Sequence, residues 1–181
     1  MNSLRIIGGR WRGRRLCFPD AEGLRPTPDR VRETLFNWLG QSLDGRTCLD
    51  LFAGSGALGF EAASRGAASV IMVERTPRIA SALAANARML DTDQRLQVLR
   101  ADALEFASSR DARAPRFDVV FLDPPYRQGW IERIEPLLPR LVADDGAVYI
   151  EAEQALSVCG AWQTVRQGHA GQVYFHLMRR G

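Results

Sequence analysis

The chain of 181 residues contains no lysine; all 24 of its basic residues are arginine. Uniform replacement of lysine reflects a GC-rich coding genome, so the identity of the basic residues says little about function. Only their clustering is informative. Cysteine and histidine are also scarce. Cys17, Cys48 and Cys159 are odd in number and far apart, no CxxC pair exists, and only His169 and His176 could assist a metal. A disulfide framework and a zinc site are thereby excluded, and no metal is expected. No apolar run approaches the roughly 18 residues that a membrane helix needs. Behind the arginines of the first residues there is no apolar stretch such as a secretory signal carries. A cytoplasmic protein with no membrane partner is expected.

The length and the 46% hydrophobic content suit one soluble domain with a real core. Its net charge of +3 is unevenly spread. Residues 1–19 hold Arg5, Arg10, Arg12, Arg14 and Arg15 and no acid before Asp20. Guanidinium forks pair bidentately with phosphate and stack on bases, so an all-basic segment suits a polyanion. The same pattern also suits an ordinary solvated face. Residues 1–24 therefore read as a basic extension and 25–181 as the main domain.

Apolar pieces at 4–7 and 16–18, separated by Gly8-Gly9-Arg10-Trp11-Arg12-Gly13, predict a small hairpin. Arg25-Pro26-Thr27-Pro28 is a helix-start signal, with Thr27 as N-cap and Pro28 at the first helical position. Strand-like runs follow near 47–52, 69–73, 96–99, 117–122 and 146–150. Helical stretches near 57–65, 77–90, 102–109 and 130–141 alternate with them. That alternation predicts a mostly parallel seven-stranded α/β sheet of Rossmann-like type with helices on both faces. The segments 161–166 and 172–178 predict a C-terminal antiparallel hairpin. Nothing demands more than a monomer.

The run Leu49-Asp50-Leu51-Phe52-Ala53-Gly54-Ser55-Gly56-Ala57-Leu58-Gly59 places a GxGxxG loop between a strand and a helix. Glycines there let the backbone turn tightly and approach a ligand. Glu74, twenty residues after Gly54, stands where an acid accepts from ribose hydroxyls. A dinucleotide site would show the same features. Asp50 discriminates, because a carboxylate just ahead of the loop repels a pyrophosphate and attracts the ammonium of a methionine moiety. S-adenosylmethionine is therefore favoured over NAD. Asp102 stands where the adenine amine could be bonded, and equally where a helix needs an N-cap.

The strand at 117–122 runs into Asp123-Pro124-Pro125-Tyr126. An exocyclic amine on a nucleic-acid base is a poor nucleophile, since its lone pair is delocalised into the ring. Acceptors at its hydrogens, the Asp123 carboxylate and the Pro124 carbonyl, would localise that pair. The prolines stiffen the backbone that aims them. Tyr126 would stack on the extruded base.

Together these residues resemble the bacterial 16S ribosomal RNA guanine-N2 methyltransferases that act on the guanine at position 966. The resemblance spans nearly the whole chain. It rests on Arg5-Ile6-Ile7-Gly8-Gly9, Gly13-Arg14, the stretch Arg25-Pro26-Thr27 followed by Asp29-Arg30-Val31-Arg32-Glu33-Thr34-Leu35-Phe36-Asn37-Trp38-Leu39, the glycine loop, DPPY and Gly171-Gln172-Val173. It implies a class I methyltransferase fold and S-adenosylmethionine as donor, with S-adenosylhomocysteine as product. The implied substrate is 16S rRNA in the assembling small ribosomal subunit. The resemblance places Arg25, Pro26 and Thr27 beside cofactor and target base, and Phe52, Ser55 and the basic hairpin at cofactor and RNA respectively. Pro28 departs from many members, without functional consequence.

DPPY serves adenine N6 equally well, so an adenine-N6 DNA methyltransferase is the main competitor. Such enzymes carry an added target-recognition region, and this chain spends its residues on the fold. A non-catalytic ribosome assembly factor on a methyltransferase fold is the second. Binding alone, however, requires neither an intact glycine loop nor DPPY.

Overall fold

The computed structural model describes residues 1–181. A two-stranded hairpin, β1 (Asn2–Arg5) and β2 (Arg15–Phe18), precedes α1 (Asp29–Leu39). Then follow β3 (Thr47–Asp50), α2 (Ala57–Ser64), β4 (Ser69–Glu74), α3 (Pro77–Leu90), β5 (Leu96–Arg100), α4 (Ala103–Ser109) and β6 (Phe117–Leu122). The expected last helix is broken into α5 (Trp130–Ile134), a 3-10 turn and α6 (Leu138–Leu141), with Pro136 and Pro139 each removing a backbone donor. The chain ends in β7 (Val142–Ala152), β8 (Val158–Cys159), β9 (Trp162–Ala170) and β10 (Val173–Arg180).

The main sheet runs β5-β4-β3-β6-β7-β10-β9-β8. Five strands are parallel, and the C-terminal three are antiparallel, as expected. The eighth strand is the two-residue β8, too short to show a period in the sequence. β3, β4 and β5 build outward in one direction and β6 and β7 in the other. The topological switch therefore lies between β3 and β6, where open α/β sheets bind ligands beyond the strands' carboxyl ends.

Each face of the sheet carries its own core. Cys48, Val119, Phe121, Ala147 and Tyr149 face α1, α2 and α3, while Leu49, Val120, Leu122, Val148 and Ile150 face α4, α5 and α6. α1 lies against the antiparallel end, where Trp38 stacks on Phe175 with ring centroids 5.4 Å apart.

The basic hairpin shares the first core, because Leu4, Ile6, Trp11, Leu16 and Phe18 are buried in it. Its turn clasps the C-terminal end of α2. Arg10 donates its backbone N–H to the Ser64 carbonyl at 2.7 Å, and Trp11 donates to the Ser64 hydroxyl at 3.0 Å. A Cβ on Gly9 would fall 1.9 Å from the Ser64 carbonyl oxygen, so only glycine permits this approach.

The start of α1 corrects the expected cap. The helix begins at Asp29, Pro28 is the capping position with an extended ψ of 151°, and no side chain caps it. The Thr27 hydroxyl turns instead to Glu151, 124 residues away. A buried carboxylate outcompetes an exposed helix end for that hydroxyl, since an unmet buried charge is the more destabilising of the two.

Candidate active site

Four adjacent strands, β4, β3, β6 and β7, each carry an acid at or next to their C-terminal end: Glu74, Asp50, Asp123 and Glu151. Side chains alternate across a strand. Asp50 follows the face of Cys48, Asp123 that of Phe121, and Glu151 that of Tyr149, so these three lie toward α1 and α2.

Asp50 is 1% exposed. Its Oδ2 accepts from the Gly59 N–H at 3.0 Å, and its Oδ1 has no partner. Burial pushes this carboxyl up to about 7; the Gly59 bond opposes the rise and the charges of Glu74 and Glu151 add to it. A cation arriving beside it would relieve both the unmet oxygen and the mutual repulsion. The loop ahead of α2 turns through Gly54 and Gly56, with φ of +50° and +83°. A Cβ on Gly56 would lie 2.5 Å from the Phe60 ring. Ser55 is buried, and its hydroxyl accepts from the Ala57 N–H at 3.4 Å.

Glu74 ties the loop to the sheet, accepting from the Gly54 N–H at 3.1 Å and the Thr76 N–H at 2.7 Å. Phe52 packs edge-on against Trp130, centroids 5.3 Å apart. Asp102 Oδ1 caps α4, accepting from Leu104 and Glu105 at 2.8 and 3.2 Å. A row of acids, one with a free buried oxygen, beside a glycine turn is a set of acceptors and negative charges that fits the ammonium and sulfonium of S-adenosylmethionine. No cluster of His, Cys, Asp and Glu has the geometry of a metal site.

Asp123 and Pro124 lie directly beyond β6, next to Glu151 on β7, since Leu122 pairs with Ile150. Burial first, then the charges of Glu151 and Asp50, hold the Asp123 carboxyl well above its ordinary range. Glu151 Oε1 accepts from the Thr27 hydroxyl at 2.8 Å and the Tyr149 hydroxyl at 2.9 Å. Tyr126 is 42% exposed, as a stacking surface must be. Burial, with the charges of Asp123, Glu151 and Glu153, pushes its phenol up to about 12, so it stays neutral.

The family model described as conserved hypothetical protein 95 matches residues 4–179. The chain belongs to this family. It is 42% identical to the Ribosomal RNA small subunit methyltransferase D of Escherichia coli K12 over 98% of this chain and 90% of that protein. Identity to the protein of the same name from Haemophilus influenzae Rd is 40%, over 96% and 92%. Among solved structures, "Putative methyltransferase yhhF from Escherichia coli" is similar with a TM-score of 0.88 and 41% identity, covering 99% of this chain and 98% of that one. The fold of this family member is the class I methyltransferase fold.

In it the cofactor residues expected from the sequence, Asp50, Phe52, Gly54, Ser55, Gly56, Glu74 and Asp102, gather at the carboxyl edge around the switch point. Thr27 joins Asp123 through Glu151. The arginines are spread more widely. Arg25 is exposed in the segment leading to Thr27. Arg5 bridges Asp29 at 3.6 Å, Arg10 bridges Asp93 at 3.0 Å, Arg15 donates to Ser3 at 3.4 Å, and Arg12 and Arg14 are exposed. The Gly8–Arg10 turn sits at the opposite end of α2 from Gly56. That separation is about 12 Å at the helical rise.

Three contributors escaped the sequence reading. Glu151 and Tyr149 lie in an apolar strand whose ending, Ile150-Glu151, repeats the apolar-then-acid pattern of Leu49-Asp50, Val73-Glu74 and Leu122-Asp123. That repeat was the available signal. Leu24, whose Cδ1 lies 3.0 Å from where a Gly54 Cβ would stand, covers the glycine loop and carries no local signature.

Proposed function

We propose that the protein methylates the exocyclic N2 amine of a guanine in 16S ribosomal RNA, with S-adenosylmethionine as donor and the assembling small subunit as substrate, and that it acts as a monomer. The observation that carries the reading is the position of Asp123 and Pro124 at the switch point, beside Asp50 and the glycine loop. The names borne by relatives at 40–42% identity support ribosomal RNA as substrate.

The bound cofactor supplies an electrophilic methyl carbon on a sulfonium. Asp50 would hold its ammonium, Glu74 its ribose and Asp102 its adenine amine, with Phe52, Ser55 and the glycine backbone shaping the cradle. Asp123 and the Pro124 carbonyl would accept the two amine hydrogens and direct the nitrogen lone pair at the methyl group. Tyr126 would stack on the extruded base, which must leave its helix or stem to reach this edge. Most of the rate gain would come from alignment, with the surrounding acids as a fixed electrostatic contribution. Arg25 and the arginines of the hairpin would hold RNA phosphates.

The test is a labelled-methyl transfer assay on unmethylated small subunits, naked 16S RNA and duplex DNA, followed by nucleoside analysis. N2-methylguanosine from subunits is the expected product. N6-methyladenine from DNA would overturn the substrate and keep the chemistry.

A further inference from the structure

Glu151 is buried, makes no ion pair with an arginine, and is needed neither to cradle the cofactor nor to hold the amine. Its environment is nonetheless specific. Two hydroxyls, Thr27 at 2.8 Å and Tyr149 at 2.9 Å, donate to the same oxygen, Oε1. Asp123 lies beside it, one step beyond the paired Leu122 and Ile150, and burial raises both carboxyls. Two buried carboxyls on neighbouring strands, each an acceptor only when ionised, are best accommodated with one proton between them. Thr27 also faces Asp123, but Tyr149 gives its hydroxyl to Glu151 alone, so the anion is best stabilised there and the shared proton rests on Asp123.

The groups facing this pair bear on that assignment. Asp50 approaches from β3, with Glu74 beyond it, and Tyr126 and Glu153 from the loops after β6 and β7. Apart from the two hydroxyls on Glu151, these are acids or neutral phenols, so a second negative charge on the pair is opposed.

We propose that Glu151 is the terminal proton acceptor of methyl transfer, a positioning residue that acts through Asp123. The proposal rests on the methyltransferase reading above. As the amine nitrogen forms its bond to the methyl carbon, the carbon–sulfur bonding pair returns to sulfur. One amine proton passes to the Asp123 oxygen that accepts it, and the proton already on Asp123 passes to Glu151. The sulfonium charge and the Glu151 charge vanish together, and Asp123 ends in the protonation state in which it began. Solvent then takes the proton from Glu151 before the next cycle.

Three variants test it, all retaining side-chain volume. In the cofactor-free wild type, the infrared carbonyl band of a protonated carboxyl persists at mildly alkaline pH, is lost in Asp123→Asn, and shifts in Glu151→Gln, where an amide replaces the anion as acceptor. In single-turnover transfer to small subunits, the wild-type rate falls toward acid as Glu151 becomes protonated. With cofactor saturating at every pH, so that Asp50 adds no limb of its own, Glu151→Gln slows the step by on the order of 10²-fold and abolishes that acid limb. Tyr149→Phe removes one bond to the Glu151 anion, so its acid limb moves to higher pH. A merely structural role would scale the rate equally at every pH. Wild-type turnover in Glu151→Gln, an unmoved limb in Tyr149→Phe, or an absent carboxyl band would each overturn the relay alone. No methyl transfer by the wild type to any RNA would overturn the functional reading, and the relay with it.

Discussion

Arg32 and Glu61 form a buried ion pair at 3.2 Å, 1% and 0% exposed, that locks α1 to α2. Glu61 is heavily engaged. Its two oxygens also accept from the Ile7 and Gly8 backbone N–H groups at 3.0 and 2.8 Å and from Arg65 at 2.9 Å. Arg32 in turn donates to the Thr27 and Arg5 carbonyls at 3.1 and 3.0 Å. One salt bridge thus connects the basic hairpin, the helix start behind Thr27 and the helix that follows the glycine loop.

Glu61→Ala leaves the buried Arg32 charge with only the half-exposed Asp29, at 2.6 Å, as counter-ion and frees two backbone donors. The expected destabilisation is about 3–5 kcal/mol, a large share of the roughly 5–15 kcal/mol that holds a domain folded. Chemical denaturation measures it. A destabilisation of less than about 1 kcal/mol, the ordinary value of an exposed pair, would show that the pair does not carry this junction. Limited proteolysis near Gly8 should accelerate in the same variant.

Asp50 links the cofactor to pH. Its carboxyl titrates near 7 because of burial. Its folded value lies above the ordinary carboxylate value, so its favourable contribution to folding is complete in acid and is lost as pH rises through about 7. Cofactor affinity should run the other way, strengthening over the same interval as the carboxylate forms to meet the ammonium. Calorimetry across that range should show the rise in the wild type, and a weak, flat affinity in Asp50→Asn. A pH-independent wild-type affinity would remove Asp50 from the ammonium site.

Much of this site was legible in the sequence because it is local. The glycine loop, DPPY and the acids closing β3, β4 and β6 are short patterns whose geometry follows from strand and turn chemistry, and α3 begins and ends where periodicity places it. What was not legible depends on interactions between distant residues. Thr27 has every local reason to cap α1, and Glu151 draws it away across the domain. Glu151 itself reads as one polar residue closing an apolar strand until β7 is laid beside β6. The hairpin arginines mark a basic extension, yet the intervening Leu4, Ile6, Trp11, Leu16 and Phe18 bury that extension in the main core.

Asp123→Ala removes both the amine acceptor and the partner of Glu151. Turnover should fall by on the order of 10²-fold or more, the scale of misalignment at a reacting centre. Cofactor affinity should change little, because Asp50 and Glu74 keep their places. Single-turnover kinetics and calorimetry on the same preparation separate the two effects. Full activity would refute the acceptor role.

The hairpin arginines make a prediction about salt. Arg10, Arg12 and Arg14 lie on a turn whose backbone is held on α2, so their side chains start from fixed positions. Replacing all three by glutamine brings the formal net charge from +3 to zero. If each meets a phosphate, the dependence of RNA affinity on salt should flatten by about 0.7–0.9 in log–log slope for every phosphate left without its arginine. Replacing Arg113, Arg133 and Arg140, exposed on α5, α6 and the loop after α4, makes the same change in net charge elsewhere. Flattening by the hairpin triple alone would assign the turn to the RNA backbone. Equal flattening by both triples would mean that net charge, not the turn, sets the affinity. An unchanged slope in the hairpin triple would mean that these arginines meet no phosphate.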